Sequence, residues 1–123
     1  MANRTALVVE DTEELRETVA LVLRERGFEV ATVNDGLEAL EYLAEAPTPD
    51  LIVLDLMLPR MTGWEFVERV SEFHRLAPVP IIVMSASAFG RGTRRQFKFF
   101  LAKPFQMEEL EHAVQEATSP PAC

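Results

Sequence analysis

A chain of 123 residues, 48% apolar and 26% charged, is long enough to bury one real core and is composed like an ordinary globular domain. Its formal charge of −8 argues against the cationic footprint that direct nucleic-acid binding needs, and no apolar run approaches the ~20 residues that span a membrane. The only cysteine, Cys123, is the last residue, so an internal disulfide and a cysteine metal cluster are both excluded; with no signal peptide expected ahead of the first apolar run, the expected compartment is the cytoplasm.

Ala6–Val9 is an apolar run that stops at Glu10-Asp11. Helical spacing follows, with Leu15, Val19 and Val22 on one face, and Asp11 with Glu14 reads as a capping box at its start. Gly27 closes that helix, and Phe28–Val33 predicts a second strand. Asn34-Asp35-Gly36 then turns the chain into a helix with Leu37, Leu40 and Leu43-Ala44 inward, ended by Pro47 and Pro49. Leu51–Leu54 is a continuous apolar run, as expected of a strand buried on both faces, and a carboxylate, Asp55, ends it. A third helix is predicted from about Trp64 to His74, with Phe66, Val67, Val70 and Phe73 as its apolar stripe. Ile81–Met84 predicts a fourth strand ending at Ser85, and Phe99–Ala102 a fifth ending at Lys103-Pro104. The last helix is expected from about Gln106 to Ala117, with Leu110, Val114 and Ala117 inward. The domain is thus drawn over 1–118, and 119–123 as a tail or the start of a linker.

Five strands alternating with helices predict an α/β fold: a parallel sheet covered on both faces, flavodoxin-like and doubly wound, with strand order 2-1-3-4-5. Between the fourth and fifth strands, residues 86–98 hold Gly90 and Gly92 and a basic cluster, which predicts a shortened or irregular fourth helix.

In that order the first and third strands are neighbours, about 4.8 Å apart, so Glu10, Asp11 and Asp55 meet at one edge. Taken singly, the acidic pair reads equally as a helix cap and Asp55 as a turn residue. Capping does not account for a second carboxylate at the end of the adjacent strand. Three converging carboxylates repel, which should raise the pKa of at least one and suits a hard divalent cation such as Mg²⁺. Ser85 ends the strand next to Asp55, where its hydroxyl can donate to an oxygen held there or serve only in a turn. Lys103 ends the strand beyond it, with a stem long enough to bring its ammonium back toward Asp55.

With Glu10-Asp11 after strand one, Asp55 within the run Asp55–Gly63, Ser85 after strand four and Lys103-Pro104 after strand five, the chain resembles a response regulator receiver domain of two-component signalling. The likeness covers nearly all of residues 4–117. It implies that Asp55 accepts a phosphoryl group from a histidine kinase or phosphotransfer protein, with Lys103 and Ser85 contacting the phosphoryl oxygens. It implies Mg²⁺ on Asp11, Asp55 and the Met57 carbonyl, with Glu10 acting partly through water. It also implies a cis Lys103–Pro104 bond, a module that catalyses its own phosphorylation rather than a turnover enzyme, and a switch built on Ser85 and Phe100. The face formed by the fourth and fifth strands and the last helix would then control a partner or an attached domain.

The chain departs from the family between Ser85 and Lys103, where it is about one helical turn (~3.6 residues) short. That leaves the usual dimerisation mode, and so the oligomeric state, open. Arg91, Arg94, Arg95 and Lys98 lie there beside Phe89, Phe97, Phe99, Phe100 and Phe105. These read either as core aromatics with a solvated basic face or as a docking patch for an acidic protein partner. An adaptor that keeps the fold but does not depend on phosphorylation is the competing function. A flavin carrier is disfavoured by the acidic run after strand one, and an aspartyl phosphatase by Met57, where a second Asp is usual.

Overall fold

The computed structural model describes residues 4–86 and 97–118. Leu51, Ile52, Val53 and Leu54 are all fully buried, and the strand they form, β3 (Leu51–Asp55), is the centre of the sheet. It is flanked by β1 (Thr5–Val9) and β4 (Ile81–Ala86), and these by β2 (Glu29–Val33) and β5 (Phe99–Lys103). All neighbours are parallel, in the order β2-β1-β3-β4-β5. Among the described residues four helices cover the sheet: α1 (Glu13–Glu25), α2 (Gly36–Glu45), α3 (Gly63–Ser71) and α4 (Met107–Thr118). This is the predicted flavodoxin-like architecture.

Side chains alternate across a strand, so each strand feeds two cores. Ala6, Val8, Leu51, Val53, Ile82 and Met84 pack with Val19 and Leu23 of α1 and Leu110 and Val114 of α4. Leu7, Val9, Ile52 and Leu54 pack with Leu43 of α2 and Phe66 and Val70 of α3. The register sets the carboxyl ends of the strands beside one another: Val9 opposes Leu54, Asp55 opposes Met84, and Ala86 opposes Lys103.

Local expectations were met unevenly. Gly27 ends α1 with φ +94°, a conformation only glycine adopts without strain. The capping box expected at Asp11 and Glu14 is absent, because the N-cap of α1 is Thr12, whose side chain makes no capping bond. A capping box is present instead on α3. There Thr62 Oγ1 accepts the Glu65 N–H (3.2 Å) and Glu65 Oε1 accepts the Thr62 N–H (3.3 Å). Phe28 lies just outside β2 yet is buried, and Ala44, expected inward, is exposed.

The third helix stops at Ser71, three residues short of His74, and Phe73 is 53% exposed rather than part of the apolar stripe. The chain there tightens into i→i−3 bonds, Glu72 N–H to Arg69 O and Phe73 N–H to Val70 O (both 3.2 Å), and this rotates Phe73 off the buried face. Leu76 and Val79 are buried in its place. Arg75 holds the turn against the end of α2, donating to Thr48 Oγ1 (2.9 Å) and the Leu43 carbonyl. The expected short fourth helix, with Phe89, Arg91, Arg94 and Arg95, falls largely outside the described residues. No helix among the described residues is long and apolar enough to cross a membrane.

Candidate functional site

The edge of the sheet where β1, β3, β4 and β5 end carries the polar groups that the core excludes. Glu10 follows β1 and is fully buried; its Oε2 accepts the Thr12 N–H at 3.0 Å. Asp11, next to it, faces solvent. Asp55 closes β3 and is 4% exposed. Its Oδ1 accepts the Met57 N–H (2.9 Å) and its Oδ2 accepts the Lys103 Nζ (2.6 Å). Lys103 reaches across from β5 and donates also to Glu10 Oε1 (3.0 Å), so one ammonium joins the ends of three strands. The peptide bond that follows it, Lys103–Pro104, is cis.

Glu10, Asp11 and Asp55 each offer a carboxylate oxygen, all within 4.8 Å of one another. Burial pushes the Glu10 carboxyl up to about 7, and Asp55 beside it adds to the rise; the Thr12 N–H and the Lys103 ammonium oppose it without prevailing. Burial also works against the Lys103 charge, but its bonds to Asp55 and Glu10 outweigh this and hold its pKa above the ordinary lysine range. The site is therefore an acid cluster that a single internal cation only partly neutralises.

Ser85 lies next to this cluster on β4, fully buried, and its Oγ has no hydrogen-bond partner among the described residues. Met57 presents its backbone N–H to Asp55, and the residue is otherwise exposed. Phe100 sits apart from the acids. It is half-buried on β5 and lines a surface cavity of about 280 Å³ with Lys98, Phe99 and, from α4, Glu109 and His112. Lys98 lies over the Phe99 ring, 5.4 Å from its centre. Beside the acids, Leu15, Pro104, Phe105, Met107 and the Lys103 stem line an apolar surface cavity of about 440 Å³.

Sequence reasoning missed the groups that brace the site. Arg16, on α1, donates through Nη1 to the Glu10 carbonyl (3.2 Å) and to Asn34 Oδ1 (2.6 Å). Arg60, in the loop after β3, donates to Asp35 Oδ2 through Nε (3.0 Å) and Nη2 (2.6 Å). Asp35 is itself buried and caps α2 by accepting the Glu38 N–H at 2.9 Å. Burial would raise its pKa, but the Glu38 N–H and the Arg60 guanidinium together hold it below the usual carboxylate value. The signal at Asp35 was its place before a helix; nothing in the spacing shows a partner 25 residues away. Gly63 is a further missed constraint: a Cβ there would lie 2.6 Å from the Leu56 Cα, so the loop can close over β3 only with glycine.

Comparison with known proteins gives a consistent set of likenesses. A family model described as response regulator receiver domain matches residues 6–115. The two-component response regulator ORR5 of Oryza sativa subsp. japonica is 32% identical over 108 residues, covering 85% of this chain and 81% of that protein. Among solved structures, the chemotaxis response regulator CheY4 of Vibrio cholerae superposes with a TM-score of 0.85 at 30% identity, over 94% of this chain and 99% of that one. The receiver domain of the sensor histidine kinase PA1611 from Pseudomonas aeruginosa PAO1 superposes with a TM-score of 0.83 at 31% identity, over 95% and 98% of the two chains. That structure has a magnesium ion coordinated in its active site cleft.

Proposed function

The chain belongs to the response regulator receiver domain family, and we propose that it is a phosphoacceptor module in which Asp55 takes a phosphoryl group from the phosphohistidine of a histidine kinase or phosphotransfer protein. The observation that carries this reading is the setting of Asp55. It is a buried carboxylate at the end of the central strand, held on one oxygen by Lys103 and on the other by the Met57 N–H, with two further carboxylates beside it.

The donor set fits Mg²⁺: three hard oxygen ligands converge, and burial has raised the pKa of one of them. Asp11, Asp55 and the Met57 carbonyl would hold the ion, with Glu10 partly through water. When bound, it would neutralise charge on the transferred phosphoryl oxygens.

The chain's own residues supply the rest. An Asp55 oxygen forms the new O–P bond while the P–N bond of the donor breaks, and the electron pair leaves on the imidazole nitrogen, which takes a proton from solvent. Lys103 is already within hydrogen-bond reach of Asp55 and would follow the negative charge as it moves onto the phosphoryl group. Ser85 Oγ, a buried donor with no partner among the described residues, would give its hydrogen bond to a phosphoryl oxygen. The apolar cavity around Leu15 and Phe105 would receive the phosphodonor protein, and the face of β4, β5 and α4, with Phe100, would carry the output.

Acetyl phosphate with Mg²⁺ tests the reading by mass spectrometry. Wild type should gain an adduct of about 80 Da, and Asp55→Asn should gain none. Full labelling of the Asn variant would remove Asp55 as the acceptor.

A further inference from the structure

The loop between β3 and α3 gives Asp55 the hydrogen bond from the Met57 N–H, and something must hold that loop in place. It has no regular structure until Thr62 caps α3. Leu58 and Met61 anchor it in the core, and Gly63 N–H bonds the Leu56 carbonyl at 2.8 Å. Between the anchors sits Arg60, with φ +65°, the only positive-φ residue other than glycine among those described. An L side chain in the left-handed region is strained and persists only where its surroundings over-determine it. Here the surroundings are the Met61 N–H, which bonds the Pro59 carbonyl across Arg60 at 2.7 Å, and Asp35. Both Arg60 donors converge on one oxygen of that carboxylate, which is 5% exposed and spends its other oxygen on the α2 cap.

We propose that Arg60 is a positioning residue for phosphoryl transfer: its ion pair with Asp35 latches the β3–α3 loop to the start of α2 and so places the Met57 N–H against Asp55. The inference rests on the phosphoacceptor reading for its consequence, but not for the latch itself. A solubility role alone, for a half-exposed cation, would leave the convergence of two donors on one buried oxygen without a cause. The Arg16–Asn34 pair does the parallel job one residue earlier, holding the Glu10 carbonyl from the end of β2. The consecutive residues Asn34 and Asp35 therefore brace both acid-bearing loops through two arginines.

Arg60→Gly separates the latch from the backbone, because glycine accepts φ +65° freely while removing the guanidinium. Two readouts are taken. The first is solvent exchange of the Met57 N–H by NMR in the metal-free protein. The second is the rate of Asp55 phosphorylation by acetyl phosphate with Mg²⁺. In Arg60→Gly, with a thermal midpoint close to wild type, Met57 exchange should rise and phosphorylation should fall, each about tenfold, as expected when a reacting group is displaced by a fraction of an ångström. Arg60→Lys, which restores the charge without the fork, should recover part of both. Wild-type exchange and rate in Arg60→Gly would overturn the proposal, as would a slowed rate with unchanged Met57 exchange. If wild type itself is not phosphorylated, the functional reading fails, and the Met57 exchange still decides for or against the latch.

Discussion

Glu10 shows how a single buried carboxyl sets the pH response of the acid cluster. Its folded-state pKa is about 7, against an ordinary value of 4.5. Between those pH values the folded protein keeps a proton that the unfolded chain has already released. The contribution to stability is thus complete below about pH 4.5 and lost as pH rises through about 7. The Asp35 shift runs the other way and acts only below its ordinary value of 3.8, outside this window. Without metal, wild type should therefore lose stability between pH 5 and pH 8 on the order of 3 kcal/mol more than Glu10→Gln, which stays neutral throughout. Urea unfolding at the two pH values measures this; parallel losses in the two proteins would show that Glu10 does not titrate there.

At the scale of the element, the loops and caps decide what repeating patterns cannot. Thr62 and Glu65 satisfy each other's backbone donors at the start of α3, so Thr62→Ala should cost about 1 kcal/mol in urea unfolding and leave the sheet intact. The strands were legible because five apolar runs are set apart by helical or loop segments, and so was the place of Glu10, Asp55 and Lys103 at the ends of three of them. The C-terminus of α3 was not, because Phe73 continues the helical spacing while the backbone leaves it for tighter turns. The false capping box at Asp11 had the right spacing, but Thr12 takes the N-cap. Arg16 and Arg60 were invisible for a different reason: Asn34 and Asp35 lie 18 and 25 residues from them, and an arginine carries no mark in sequence of the side chain it reaches.

For the whole molecule, with a formal charge of −8 and three carboxylates gathered at one edge, divalent cation binding there would be a stability effect as well as a chemical one. A ligand that binds only the folded state stabilises it by mass action, by about 2.7 kcal/mol at a hundredfold excess over its dissociation constant. Mg²⁺ should accordingly raise the thermal midpoint of wild type in a concentration-dependent way and raise that of Asp11→Ala much less. An equal rise in both would take Asp11 out of the metal site.

The division of the core into two halves carries a consequence for how events at the site are routed. Along each strand, odd and even positions point to opposite faces, and parallel partners in register share a face. Asp55 therefore shares the side of Leu51 and Val53, and Lys103 that of Leu101, both toward α1 and α4. Ser85 follows Met84 and so has the opposite parity, as does Val83. A phosphoryl group held by Asp55, Lys103 and Ser85 together would straddle the two parities. The sheet would then act as a junction, with the charge arriving on one side and Ser85 answering it from the other.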